Sequence, residues 1–142
     1  MMELKRGNIS EIQLNFSNIS HPLTTRGYCD ELKISHNSVS YQRYNRPNYR
    51  TVEEWYYRSN TEEYTNKYYN LLDKMIEFFT HKPEDTLPEE ENNGFALRIR
   101  FEDGTCAEYC GKGTFPENHM EELAKLILEF VPRNELHSEV LD

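Results

Sequence analysis

The chain has 142 residues, with 25 Asp and Glu against 16 Lys and Arg, for a formal charge of −9 at pH 7. That length suits one domain with a real core and is short for two. The acidic balance argues against nucleic-acid binding and against attraction to anionic membranes, and no run approaches the ~20 apolar residues of a membrane span.

Residues 11–18 alternate, Ile12, Leu14 and Phe16 against Glu11, Gln13, Asn15 and Ser17, the pattern of a half-buried strand. Residues 20–30, with Pro22 and Gly27, read as a connection. Residues 31–44 read as a hairpin: Leu32 and Ile34 on one arm, a turn at 36–38, and Val39, Tyr41 and Arg43 on the other. Residues 45–49 hold Pro47 and read as a loop. Residues 51–58 carry Val52, Trp55, Tyr56 and Tyr57 and are expected to form a strand, with a helix as the rival reading because Glu53 and Glu54 would suit a first turn.

Residues 60–80 give the clearest helix. Tyr64, Tyr68, Tyr69, Leu71, Leu72, Met75, Ile76, Phe78 and Phe79 fill one half of the wheel and charged or amide residues the other. Ser59 with Glu62 forms a capping-box pattern, and His81 and Pro83 close the helix. Residues 83–93 are an acidic loop. Residues 95–101 alternate again, Glu102-Asp103-Gly104 is a hairpin turn with Gly104 at a left-handed position, and 105–110 returns. Residues 111–115 are expected to be a glycine-containing loop. A second helix is expected over 118–131, with Met120, Leu123, Ala124, Ile127, Leu128 and Val131 as its apolar stripe. Residues 133–142 are expected to be a mobile tail.

These elements predict one α+β domain over 1–132. The architecture is a two-layer sandwich: an antiparallel sheet of five to six strands with two amphipathic helices on one face. The order hairpin then helix occurs twice, and Leu72, Lys74 and Ile76 fall in the same relative positions as Leu123, Lys125 and Ile127. The longer first unit is accounted for by an insert over 46–59, so a duplicated hairpin–helix unit is one reading and chance similarity of two amphipathic helices is the other.

Three cysteines, Cys29, Cys106 and Cys110, are too few for a disulfide framework. On a strand, Cys106 and Cys110 share a face about 13 Å apart, too far to bridge. Residues 1–10 also lack the apolar stretch of a secretory leader. Together these point to a reducing cytoplasm. None of the five histidines has metal-site spacing, and the adjacent acids Glu53-Glu54 and Glu89 to Glu91 read as solvated charge. No nucleophile elbow is present. The best catalytic assembly is Cys110 with His119 across residues 111–115, near Lys112, where a helix N-terminus would lower a thiol pKa.

The most unusual stretch is residues 41–58. Tyr41, Tyr44, Tyr49, Trp55, Tyr56 and Tyr57 interleave with Arg43, Arg46, Arg50 and Arg58. This is the composition of a protein-binding hot spot, and also of a platform for stacked single-stranded bases. The expected function is a non-catalytic protein-interaction or regulatory domain, with no cofactor or metal. Tyr44, Arg46, Tyr49, Arg50, Trp55, Tyr56 and Arg58 would meet a protein partner, a basic one given the chain's charge, and a Tyr-rich edge strand would also favour a homodimer. The alternatives are a small-ligand binder or enzyme with a pocket at Cys110, Gly111–Gly113 and His119, and a single-stranded nucleic-acid binder through 41–58.

Overall fold

Apolar residues at every second position make a strand with one dry face, and six such strands here share a single dry face. The computed structural model describes residues 2–21, 26–46, 50–81, 94–112 and 121–130. After a 3-10 turn at Arg6–Asn8 come β1 (Ile9–His21), β2 (Arg26–Ile34), β3 (Ser38–Arg46), β4 (Thr51–Arg58), α1 (Glu62–Thr80), β5 (Gly94–Phe101), β6 (Cys106–Lys112) and α2 (Glu121–Leu128). The strands form one antiparallel sheet in the order β4-β3-β2-β1-β5-β6, so the protein is α+β and sandwich-like. β5, arriving after α1, pairs with β1 and leaves β4 and β6 at the two edges.

The registers align into rows that cross the whole sheet. Tyr57, Val39, Ile34, Ile12, Ile99 and Ala107 form one row, and Trp55, Tyr41, Leu32, Leu14, Leu97 and Tyr109 another. Nine of these twelve residues are buried in one core with residues of both helices, and Trp55, Tyr57 and Ala107, partly buried, pack against it. The row between them, Tyr56, Ser40, Lys33, Gln13, Arg98 and Glu108, is polar apart from its tyrosine ring and faces the other way.

The Thr61 hydroxyl caps α1, accepting from the Tyr64 N–H at 3.1 Å, with Glu62 and Glu63 in the first turn where the helix dipole favours anions. Tyr64, Tyr68, Leu71, Leu72, Met75 and Phe79 are buried. The Tyr64 hydroxyl is shared between the Ser35 and Ser38 carbonyls, at 2.8 and 3.0 Å, which ties the start of α1 to the β2–β3 turn. Farther along, Phe78 meets Tyr109 of β6 edge-on. From α2, Leu123, Ala124 and Ile127 enter the core, and Lys74 of α1 pairs with Glu122 at 2.8 Å. Just beyond α2, Phe130 packs edge-on against Tyr64, and its carbonyl accepts from the Tyr57 hydroxyl at 2.6 Å.

Several expectations are corrected. Residues 20–30 are not a connection: β1 runs to His21 and β2 starts at Arg26, so Gly27 pairs within the sheet. Asn45 and Arg46 continue β3 rather than starting a loop. Ser59 and Glu62 do not form the capping box, because Thr61 is the cap. Residues 51–58 form the expected strand, and the rival helix reading falls. Gly111 and Lys112 belong to β6, not to a loop. Gly111 is needed for close approach: a Cβ there would sit 2.4 Å from the ring of buried Phe95 on the neighbouring strand. Gly104 fills the left-handed turn position as expected, at φ +88°, beside an Asp103 carboxylate that accepts from the Thr105 N–H and hydroxyl. The acidic loop at 83–93 and the tail at 133–142 lie outside the described residues.

Candidate binding face of the sheet

Strand parity divides the Tyr/Arg-rich segment between two faces. In β4, Trp55 and Tyr57 turn toward the core, where Trp55 stacks between Tyr41 and Tyr57 with ring centroids 5.6 and 6.1 Å apart. Tyr56 and Arg58 turn outward, and Tyr56 is 60% exposed. Arg50, just before β4, is exposed, and Tyr44 is half-buried on the outer face of β3. Arg46 ends β3 opposite Gly27, whereas Tyr49 lies outside the described residues. The segment therefore supplies two surfaces, and Trp55 belongs with the core.

Arg43 also belongs with the core. It lies opposite Asp30 in the β2–β3 register and donates to it from Nε at 2.7 Å and from Nη2 at 3.1 Å, with side chains 6% and 2% exposed. The Tyr41 hydroxyl donates to the same carboxylate. Burial, reinforced by the Asp30 carboxylate that its hydroxyl faces, pushes the Tyr41 phenol far above its ordinary pKa. A charge pair this dry, with a bidentate fork and a third donor, anchors β2 to β3 where the apolar rows give out.

The outer face is built from the polar rows. Over β2, β3 and β4 it forms an open groove of about 500 Å³. Its walls are Glu31, Lys33, Ser40, Gln42, Glu54 and Tyr56, and the chain at Tyr41 and Trp55, whose rings point to the core, contributes its floor. Two linked hydrogen bonds, one along β3 and one across to β4, order one wall: the Tyr44 hydroxyl donates to Gln42 Oε1, and Gln42 Nε2 donates to Glu54 Oε2 at 3.1 Å. Partial burial, with Glu31 next in effect, raises the Tyr44 pKa. Lys33 and Glu31 pair along β2 at 3.1 Å.

Toward the other edge the same face is a lattice of opposite charges. Arg98 pairs with Glu108, and Arg100 with Glu11 at 3.4 Å. The Arg98 hydrogen bond holds the Glu108 carboxyl below the usual carboxylate range. Gln13, central in this face and only 5% exposed, donates to Asn15 at 2.8 Å, while its Oε1 is buried without a hydrogen-bond partner.

Of the candidate pocket at Cys110, Lys112 and His119, only Cys110 and Lys112 fall among the described residues. Cys110 is half-buried on the outer face of edge strand β6 and donates to Glu108 at 3.2 Å. Lys112 ends β6 opposite Gly94, and His119 lies outside the described residues. The cysteines are thiols. Among the described residues no group of three or more His, Cys, Asp or Glu side chains is placed to hold a metal ion, and no helix is long and apolar enough to cross a membrane.

Sequence reasoning missed Glu31, Lys33, Ser40 and Gln42 as groove walls, because isolated polar residues on alternating strands look like any solvated face. Their signal lies in the pairing: these positions become neighbours of Tyr56 only once β2, β3 and β4 are in register. Comparison with protein-family models, with curated proteins and with solved structures finds no match to this chain.

Proposed function

We propose that this chain is a non-catalytic protein-binding domain whose docking surface is the outer face of the sheet over β2, β3 and β4. The observation that carries this reading is the groove at Ser40, with the exposed Tyr56 ring on its wall. Exposed tyrosine beside ordered polar groups is the material of interface anchors, since the ring supplies contact area at little entropic cost.

The occupant we assign is a protein segment bearing a basic side chain. Among the described residues, Glu31 and Glu54 line the groove against one cation, Lys33, which is itself paired with Glu31. A guanidinium or ammonium group would find Glu54 and the Tyr56 ring together, and the chain's charge of −9 would favour its approach. In this reading the helices form one layer over the core face, β4 is the insert in the first of two hairpin–helix units, and three thiols fit a reducing compartment.

The test is capture of a partner from lysate of the producing cells, followed by mass spectrometry. The wild-type chain is expected to retain one near-stoichiometric protein. Ser40→Arg, which fills the groove, is expected to lose it, and Tyr69→Ala, which removes the other exposed large ring among the described residues, to keep it. Capture that survives Ser40→Arg in a folded chain, or a bait that stays bare, overturns the reading.

A further inference from the structure

The hydrogen bonds of β4 run in a known direction. The Ser59 N–H donates to the Asn37 carbonyl at 3.0 Å, one step beyond the Ser38–Arg58 pair of the β3–β4 register. Bonded and non-bonded pairs alternate in an antiparallel ladder, so Tyr57, Trp55 and Glu53 spend their backbone groups on β3. Glu54, Tyr56 and Arg58 then direct their N–H and C=O groups to the open edge, which has no strand partner among the described residues.

That edge is self-complementary in one register. Two copies of β4, antiparallel about a two-fold axis at Tyr56, place Glu54 of each opposite Arg58 of the other, Tyr56 opposite Tyr56, and Trp55 opposite Tyr57. Centring on Glu54 instead sets Glu54 against Glu54 and Arg50 against Arg58, and like charges directly opposite are unfavourable. Centring on Trp55 leaves Glu54 and Arg58 facing Tyr56 and Val52. Within one chain Glu54 and Arg58 lie about 13 Å apart along the strand, too far to pair, and neither has an ion-pair partner among the described residues. The irregularity in the β3–β4 register, between Arg43 and Tyr44, falls near Thr51, outside the segment the Tyr56-centred register uses. The groove wall is thus also the end of a regular, charge-matched edge.

We infer that the chain forms a symmetric homodimer by antiparallel β4–β4 pairing centred on Tyr56, which joins two six-stranded sheets into one. This deepens the reading of the chain as a protein-binding domain by naming a second copy as a partner at the β4 edge. The two readings fail separately, because Ser40→Arg blocks the groove from β3 and Arg58, outside the groove lining, serves the edge.

The test is sedimentation velocity over a concentration series reaching roughly 100 µM, a range that reads interactions of micromolar strength. Wild type is expected to dimerise. Glu54→Arg and Arg58→Glu each place like charges opposite one another twice in the symmetric interface, and each is expected to weaken the dimer about tenfold or more. Mixing the two variants restores opposite charges in both pairs, so a heterodimer is expected where neither variant self-associates. Tyr56→Pro removes an N–H that points to the open edge while β3 keeps its bonds, so it is expected to give a folded monomer by circular dichroism. A wild-type chain that stays monomeric throughout overturns the inference, as does a dimer indifferent to the charge variants or variants that fail to pair on mixing. A monomeric chain that still captures a partner through the Ser40 groove leaves the protein-binding reading standing.

Discussion

Removing the buried carboxylate of Asp30 should cost far more than removing its exposed counterparts. Asp30→Val deletes the acceptor of both Arg43 nitrogens and of the Tyr41 hydroxyl, in a site where the two charged side chains are 2% and 6% exposed. Breaking a buried pair from one side destabilises by about 3–5 kcal/mol, a large share of the roughly 5–15 kcal/mol that holds an ordinary domain folded. The comparison inside the same molecule is Arg6 with Asp73. That pair has the same forked geometry, at 2.8 and 2.5 Å, but each side chain is about half exposed. Asp73→Ala should therefore have a much smaller effect, since water already screens the pair.

The assay is urea unfolding followed by far-ultraviolet circular dichroism, with the slope checked for constancy so that midpoints read stability. A triple variant, Asp30→Val with Arg43→Met and Tyr41→Phe, removes the carboxylate together with the two side chains that donate to it and should recover much of the loss of the single variant. If Asp30→Val costs under about 1 kcal/mol, the pair behaves as a surface ion pair and the reasoning from burial is wrong. If the triple variant is worse than the single by several kcal/mol, the apolar surroundings do not accept apolar replacements, and the network would have to be a net stabiliser in itself.

Gly111→Ala should destabilise by about 1–3 kcal/mol, through overpacking against Phe95, and should outweigh the ~0.5–1 kcal/mol that alanine ordinarily gains over glycine in regular structure; urea unfolding reads the sign, and a stabilised variant would refute the contact. The phenols of Tyr41, Tyr64 and Tyr68 are all pushed up, chiefly by burial. Unfolded tyrosines ionise near pH 10 while these stay protonated, so the folded chain holds more protons than the unfolded one and stability falls as pH rises through that range. Phenolate absorbance should then show a late fraction of tyrosines that ionises in step with loss of helix, and full titration before unfolding would contradict their burial.

Much of the architecture was legible because each strand repeats its apolar residues with period two and each helix with period near 3.6. Leu97, Ile99 and Phe101 could be assigned to the core from spacing, as could Leu71, Leu72 and Met75. The errors fall where a local signal competes with a long-range one. Gly27 and Gly111 read as loop residues by propensity, yet each is held in a strand by its pairing, and at Gly111 the missing side chain is what lets Phe95 settle. Thr61 won the cap over Ser59 by position relative to the first buried ring, Tyr64, which sequence spacing alone places to within a residue or two.

The proposed binding face was less legible for a different reason. Composition marks residues 41–58 as unusual but assigns every aromatic and arginine to one platform, whereas the pleat sends Tyr41, Arg43, Trp55 and Tyr57 inward and leaves Tyr44, Tyr56 and Arg58 outside. Parity alone could have made that division. What parity could not supply is the strand order, because an edge strand and a central strand carry the same alternation. The position of β4 at an edge follows from β5 pairing beside β1 instead, a contact between residues far apart in the chain. Had β5 joined β4, the outward-facing backbone groups of Glu54, Tyr56 and Arg58 would be spent in a ladder and Tyr56 would stand in the middle of a wider sheet. The same sequence segment would then have no open edge to offer, so the capacity for β4 pairing is a property of the sheet's order that no reading of residues 41–58 by themselves contains.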